Sequence, residues 1–264
     1  MTARKTPIAR RRCRYVAMSL CAGDRCTLSA MCGRFAILYK WRDVQRLLRL
    51  TTQREPPAGF AQRYNVAPRT QVPIVRLTST GERECALVRW GLVPTWVKDI
   101  ADLKSDLINA RVETANDKPS FRSAFRARRC VVPASGFYEW KKTGVDKQPH
   151  YIHPQDGSAI LCFAGLWEQW RSPTGICLES CVILTRDATP ALSDIHPRMP
   201  VALKQDAVDT WLDRTNEDVA ALRDLARSAA CPILTFHPVS SRVNSVRHDD
   251  ADCIKPIDED TLFS

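Results

Sequence analysis

The chain has 264 residues, 44% of them hydrophobic, with 17 prolines and 10 glycines, a composition that excludes a disordered or fibrous chain and suffices for a substantial core. Its formal net charge of +10 permits a polyanionic partner, but seven basic residues against Asp24 alone fall within positions 1–31, so the rest is only mildly basic. No apolar run is long enough to cross a bilayer, and eleven scattered cysteines without a Cys-x-x-Cys pair argue against a disulfide framework and a metal centre, which fits a reducing cytoplasm.

In chain order, residues 1–31 carry no sustained apolar period and are predicted to be a basic extension that is disordered, processed or not translated. The apolar stretch over 15–22 is too short for a signal peptide and is broken by Ser19. Phe35, Ile37 and Tyr39 alternate as in a first strand, and Val44, Leu47 and Leu48 recur at helical spacing over 41–50. Pro56 and Pro57 mark a loop over 51–59, and strands are predicted at 72–77 and 84–90 around Thr80-Gly81. Pro and Gly content predicts shaped loops at Tyr64-Asn65-Val66-Ala67-Pro68 and Trp90-Gly91-Leu92-Val93-Pro94-Thr95-Trp96.

Asn109, Arg111 and Glu113 alternate over 107–113 and share a face if that segment is extended. A helix over 120–129 leads into a strand at 130–132 and a turn at Pro133-Ala134-Ser135-Gly136. The span 141–148 reads as a hairpin connection, with strands at 151–152, 160–166 and 176–185 and a linker over 167–174. A brief strand at 201–203, helices at 206–212 and 217–229 and a last strand at 233–236 precede an acidic, flexible tail over 246–264. The predicted fold is α+β: one domain over 32–245, a mixed, largely antiparallel, curved and barrel-like sheet with peripheral helices.

Several residues carry chemistry. Cys32 follows Met31, and trimming of that methionine would leave an α-amine and a thiol on one residue. Such a pair condenses with an aldehyde to a Schiff base and then closes to a five-membered thiazolidine. On residue type alone, Cys32 reads equally as a small core hydrophobe. Glu139, among Phe137, Tyr138 and Trp140, is placed for burial to raise its pKa and fit it for proton transfer; otherwise it is a salt-bridged glutamate. His196, before Pro197-Arg198-Met199-Pro200, is either an acid-base group or a plain loop residue. Trp90 and Trp96 are either platforms for unstacked bases or core anchors. Arg122, Arg126, Arg128 and Arg129 are either a basic patch or a solvated helix face. His150, His153, Cys177 and Cys181 lack the companions of a metal site.

Six motifs recur in a fixed order: Met31-Cys32-Gly33-Arg34-Phe35, Tyr64-Asn65-Val66-Ala67-Pro68, Trp90 to Trp96, Asn109-Ala110-Arg111-Val112-Glu113-Thr114, Val132 to Trp140, and His196-Pro197-Arg198-Met199-Pro200. Over residues 31–240 the chain thereby resembles the SOS response-associated peptidase family, also called abasic-site processing proteins. The resemblance implies a DNA-damage protein that captures abasic sites in single-stranded DNA through a thiazolidine on an N-terminal cysteine and shields the lesion from strand cleavage. It implies Cys32 as nucleophile, Asn109 as the side chain holding either the amino-terminal cysteine or the sugar-derived aldehyde, Glu139 as proton carrier and His196 as acid-base group. Arg34, Asn65, Trp90, Trp96, Arg111, Arg126 and Arg198 are the implied DNA contacts, and Glu113 is a partner for an arginine rather than a catalyst.

No cofactor and no metal are implied. A monomer is expected, in the cytoplasm and on the nucleoid when bound to DNA, with replication-fork proteins as candidate partners. Schiff-base chemistry also admits abasic-site lyase activity. Two alternatives stay open: a thiol peptidase or autopeptidase of narrow scope, and a non-covalent binding module for single-stranded DNA. An amide-linked Cys32 has no α-amine, so the capture chemistry requires translation from Met31 or removal of the extension.

Overall fold

A computed structural model describes residues 32–157, 160–228 and 233–257. The predicted extension over 1–31 and the last residues of the predicted tail lie outside them. The chain enters through β1 (Arg34–Ile37) and α1 (Trp41–Leu47), then β2 (Arg63–Val66), β3 (Gln71–Leu77) and β4 (Arg83–Trp90). Next come β5 (Asn109–Arg111), α2 (Arg122–Ala127), β6 (Arg129–Ala134), β7 (Gly136–Thr143), β8 (Asp146–Pro154), β9 (Leu161–Arg171) and β10 (Cys177–Asp187). Finally α3 (Pro190–Ser193), β11 (Arg198–Pro200), β12 (Ala202–Leu203), α4 (Gln205–Leu212), α5 (Val219–Ser228) and β13 (Leu234–Pro238) complete the domain.

Two sheets organise these strands. The smaller runs β13-β8-β7-β1-β2, all antiparallel. In the larger, β10-β4-β3-β6-β9 closes on itself through the β9–β10 pairing, so five strands form a barrel-like ring whose β10–β4 contact is parallel. Closure removes most free strand edges. The two sheets meet in one core: Phe35 of β1 packs edge-on against Trp90 of β4 at 5.1 Å, and Phe137 of β7 against Phe163 of β9 at 5.9 Å. The result is the mixed α+β domain with a barrel-like sheet and peripheral helices. Among the described residues no helix is long and apolar enough to cross a membrane.

Gly136 is required where β7 begins. A Cβ there would lie 2.5 Å from the Tyr151 ring and 2.7 Å from the Ile152 carbonyl, so β7 and β8 reach their close pairing only through a residue without one.

Four stretches differ from the sequence-based expectation. The predicted loop 64–68 overlaps β2, because Arg63 and Val66 pair with β1 on either side of an irregularity at Tyr64 and Asn65. The predicted connection 141–148 is mostly strand, with the turn confined to Gly144 at φ +65° and Val145. The predicted linker 167–174 is largely the end of β9, where Trp170 donates from Nε1 to the Val97 carbonyl at 2.7 Å and the Arg76 guanidinium stacks over Trp167 at 3.9 Å. Its adjacent polar residues Glu168 and Gln169 mimic a loop in composition, although Glu168 is buried and paired with Arg128. The predicted acidic tail does not leave the body at 246: Cys253 is buried and Val239 bridges to Pro256.

Candidate active site

Cys32 lies two residues before the start of β1 and is buried, with a left-handed φ of +45°. A non-glycine residue held there stores strain of about 1 kcal/mol, which surrounding contacts must offset. The β1–β7 register pairs Arg34 with Tyr138, and its continuation brings Glu139 alongside the start of β1. The Cys32 nitrogen donates to Glu139 Oε1 at 2.8 Å, and Sγ lies 2.6 Å from that same oxygen. One buried carboxylate oxygen thus meets both the nitrogen and the sulfur of the residue, the nitrogen being a nucleophile only when freed as an α-amine.

His196 enters from the turn between α3 and β11, with Nδ1 3.9 Å from Glu139 Oε1. That nitrogen lies 3.1 Å from the Arg198 nitrogen and 3.0 Å from the Arg198 carbonyl, so it accepts from the first when it carries no hydrogen and donates to the second when it does. Phe137, Ile152, Leu192, Ile195 and Met199 complete the surround with Glu139, His196 and Arg198.

This setting determines the proton inventory. Burial pushes the Cys32 thiol well above its ordinary pKa, and the Glu139 charge adds to the rise against an opposing Arg198. Burial also raises the Glu139 carboxyl, while the His196 charge and hydrogen bonds from Cys32 pull it back. The thiol therefore rests protonated, and a proton leaving it has Glu139 as its nearest acceptor.

The other residues singled out from the sequence fall into two groups. Arg111, opposite Thr185 in the β5–β10 pairing, is exposed, and half-buried Asn109 precedes it on the same face of β5. Trp96 is 63% exposed in the loop after β4. Arg126 is exposed on α2, a helix that packs on β6 and β9.

Trp90, Arg34, Asn65 and Arg198 instead turn inward. Trp90 is fully buried and donates to the Ile108 carbonyl at 3.0 Å, so it is a core anchor and its platform role is withdrawn. Arg34 and Asn65 bond to each other at 2.8 Å and both reach the Val243 carbonyl, which leaves them inside the fold rather than on a DNA surface. Arg198 makes a fork with both oxygens of Glu113 at 2.9 Å, and further bonds to Asp187 at 2.6 Å and the Thr185 carbonyl at 2.7 Å. Glu113 has its arginine partner there, and the expected phosphate contact of Arg198 is replaced by a carboxylate cage that fixes the backbone next to His196. The sequence did not single out Asp249, which accepts from two backbone N–H groups of β2 across a separation that no local pattern signals.

The chain matches the family model described as SOS response associated peptidase (SRAP) over residues 31–246. It is 33% identical over 225 residues to "Abasic site processing protein YoqW" of Bacillus subtilis, covering 85% of this chain and 99% of that protein. It is 34% identical over 275 residues to "Abasic site processing protein HMCES" of Mus musculus, covering 90% of this chain and 76% of that one. A crystal structure of a protein from Bacteroides thetaiotaomicron superposes with a TM-score of 0.73 at 26% identity, covering 86% of this chain and 100% of that one. A second, from Bordetella bronchiseptica, gives 0.68 at 27% identity, with 79% and 100% covered. Among the described residues no group of three or more His, Cys, Asp or Glu side chains is arranged to hold a metal ion.

Proposed function

The chain belongs to the SOS response associated peptidase family, and from that premise we propose that it captures abasic sites in single-stranded DNA through Cys32. The observation that carries this is the convergence of Cys32 N and Sγ on one buried oxygen of Glu139. In the proposed reaction the freed α-amine attacks the ring-opened C1′ aldehyde. Glu139 takes a proton from the amine and returns one to the departing oxygen, which leaves as water and gives a Schiff base. The thiol then adds across the C=N bond as its proton passes through Glu139 to the nitrogen, closing the thiazolidine with net loss of one water.

His196, on the far side of Glu139, is assigned the acid-base step at the sugar oxygen, and Asn109 the holding of the aldehyde. Arg111, Arg126 and Trp96 are assigned to the strand. The start of the family match at residue 31, one position before Cys32, supports a functional chain that begins at Cys32. Sites of this kind occur in opened duplex, so replication-fork proteins are the natural neighbours. The same imine intermediate gives access to a lyase step.

A thiol peptidase would need a stabilised thiolate, whereas burial beside a carboxylate raises the Cys32 thiol, so capture is the better reading of this site. The test is intact mass under denaturing conditions after incubation with an oligonucleotide holding one abasic site. The expected product has the mass of a chain starting at Cys32 plus the DNA, less one water; an unchanged protein mass refutes the assignment.

The two tryptophans give a paired prediction. Trp90→Ala should cost about 3–5 kcal/mol of folding stability in urea titrations. Trp96→Ala should leave stability within about 0.5 kcal/mol but weaken binding of an intact single strand by about 1–3 kcal/mol. Equal affinity for parent and Trp96→Ala in a fluorescence titration would remove Trp96 from the DNA path.

A further inference from the structure

Residues 243–249 cross behind the strands that carry the reacting groups. Arg34, two residues after Cys32, donates to the Val243 carbonyl at 2.5 Å, the Asn244 carbonyl at 3.2 Å and Asn65 Oδ1 at 2.8 Å. The fully buried Asn65 amide in turn donates to the carbonyls of Val243, Ser245 and His248 at 3.2, 3.0 and 2.7 Å. On the neighbouring strand Trp140, next to Glu139, donates from Nε1 to Asn244 Oδ1 at 2.8 Å. One segment is thus tied to the strand that leads from the nucleophile and to the strand of the carboxylate.

The far end of this segment is held by Asp249. Between Phe35↔Val66 and Ile37↔Arg63 the β1–β2 register gains a residue on β2, and a bulge of this kind turns successive N–H groups out of the ladder. Those of Tyr64 and Asn65 both donate to Asp249 Oδ1, at 2.5 and 2.8 Å, while Oδ2 takes Arg63 Nε at 2.9 Å. The family match ends at residue 246, so His248 and Asp249 lie beyond it.

We propose that residues 243–249 are a strap and that Asn65 and Asp249 are positioning residues, which act through Arg34 and Trp140 to hold Cys32 in its left-handed conformation against Glu139 Oε1. A carboxylate on paired N–H groups of a bulge is a strong, directional anchor. Its loss lets the strap lift, and with it the Arg34 guanidinium that tethers the strand next to Cys32. The two nucleophilic atoms then no longer share one proton acceptor, and misplacement of about 1 Å at a reacting group is enough to slow chemistry by about 10²-fold.

In its kinetic readout this inference rests on the capture reaction proposed for Cys32; in a second readout it does not. The variants are Asp249→Ala and Asp249→Asn, made in a chain beginning at Cys32, because Asp249 lies at the surface and its replacement leaves the core intact. Asp249→Ala is expected to lower the single-turnover capture rate at saturating abasic oligonucleotide by about 10-fold or more, while affinity for an intact strand stays within about 2-fold. The acid limb of its rate profile should move to lower pH, because a loosened site hydrates Glu139 and removes the burial that raises it. Alkylation of the Cys32 thiol by iodoacetamide, followed by peptide mass, should rise by about 10-fold in the same variant.

Asp249→Asn keeps an oxygen to accept both N–H groups and should restore rate and protection to within about 3-fold of the parent. A rate and an alkylation profile unchanged in Asp249→Ala would overturn the strap, as would a loss that Asp249→Asn leaves unrepaired. If the parent chain forms no adduct but its thiol still becomes reactive in Asp249→Ala, the capture function fails and the strap stands.

Discussion

Cys32→Ser, in a chain that begins at residue 32, is expected to form an imine with abasic DNA that borohydride traps, while the adduct that survives denaturation without reductant falls by about 10²-fold or more. The amine and its bond to Glu139 are retained, so the first step proceeds; the hydroxyl is a far weaker nucleophile than the thiol at neutral pH, so ring closure fails. Cys32→Ala should behave the same way and separates the two nucleophiles of the residue. A chain still carrying residue 31 in amide linkage should give neither product, because an amide nitrogen has no lone pair available for attack. If Cys32 were only a core thiol, its replacement by Ala would cost about 1 kcal/mol of stability and leave every adduct in place. Denaturing gels run with and without borohydride on the three proteins decide between these outcomes.

The parts of the fold that were legible in the sequence are those where local pattern and tertiary environment agree. The alternation of Phe35 and Ile37, the paired runs around Gly81 and the apolar stripe of α5 each mark a surface half turned to the core. β2 was hidden because its bulge is built from Asn65 and its neighbours, whose turn-like composition reflects real irregularity in the ladder. β9 was cut short because Glu168 and Gln169 look like loop residues, although Glu168 is buried and paired with Arg128. At the site, Cys32, Glu139 and His196 do converge in space, an arrangement that motif order suggested and no spacing rule could have derived.

The inward-turned residues were misplaced for a different physical reason. Arg34, Asn65 and Arg198 are good DNA-contact types because they carry many donors, and a buried main-chain carbonyl or carboxylate makes the same demand on those donors as a phosphate does. Residue type fixes the hydrogen-bonding capacity of a side chain and leaves its direction to whatever partners the fold brings alongside. Direction here follows from the strap and from Glu113, which are distant in sequence, and from Asp187, which the β10–β11 pairing sets opposite Arg198.

Glu139→Gln should keep the affinity for abasic DNA within about 2-fold and slow the capture rate by about 10²–10³-fold, the usual scale for loss of a positioned proton carrier. The amide accepts the Cys32 hydrogen bonds but neither removes nor returns a proton. In the parent the rate should rise with pH through an acid limb above the ordinary glutamate value of 4.5, since burial raises this carboxyl; the variant should lack that limb. Stability gives an independent check in a chain whose Cys32 nitrogen is an amide. The folded form there binds the Glu139 proton more tightly than the unfolded form, so the contribution of this group is full below 4.5 and declines as pH rises through the folded value. Urea midpoints of parent and Glu139→Gln should therefore diverge in favour of the variant across that window and run parallel outside it. With the α-amine freed, its positive charge 2.8 Å from Oε1 opposes burial, and the divergence should shrink. Capture that proceeds at the parental rate in Glu139→Gln would assign proton transfer to another group, with His196 the nearest ionisable neighbour.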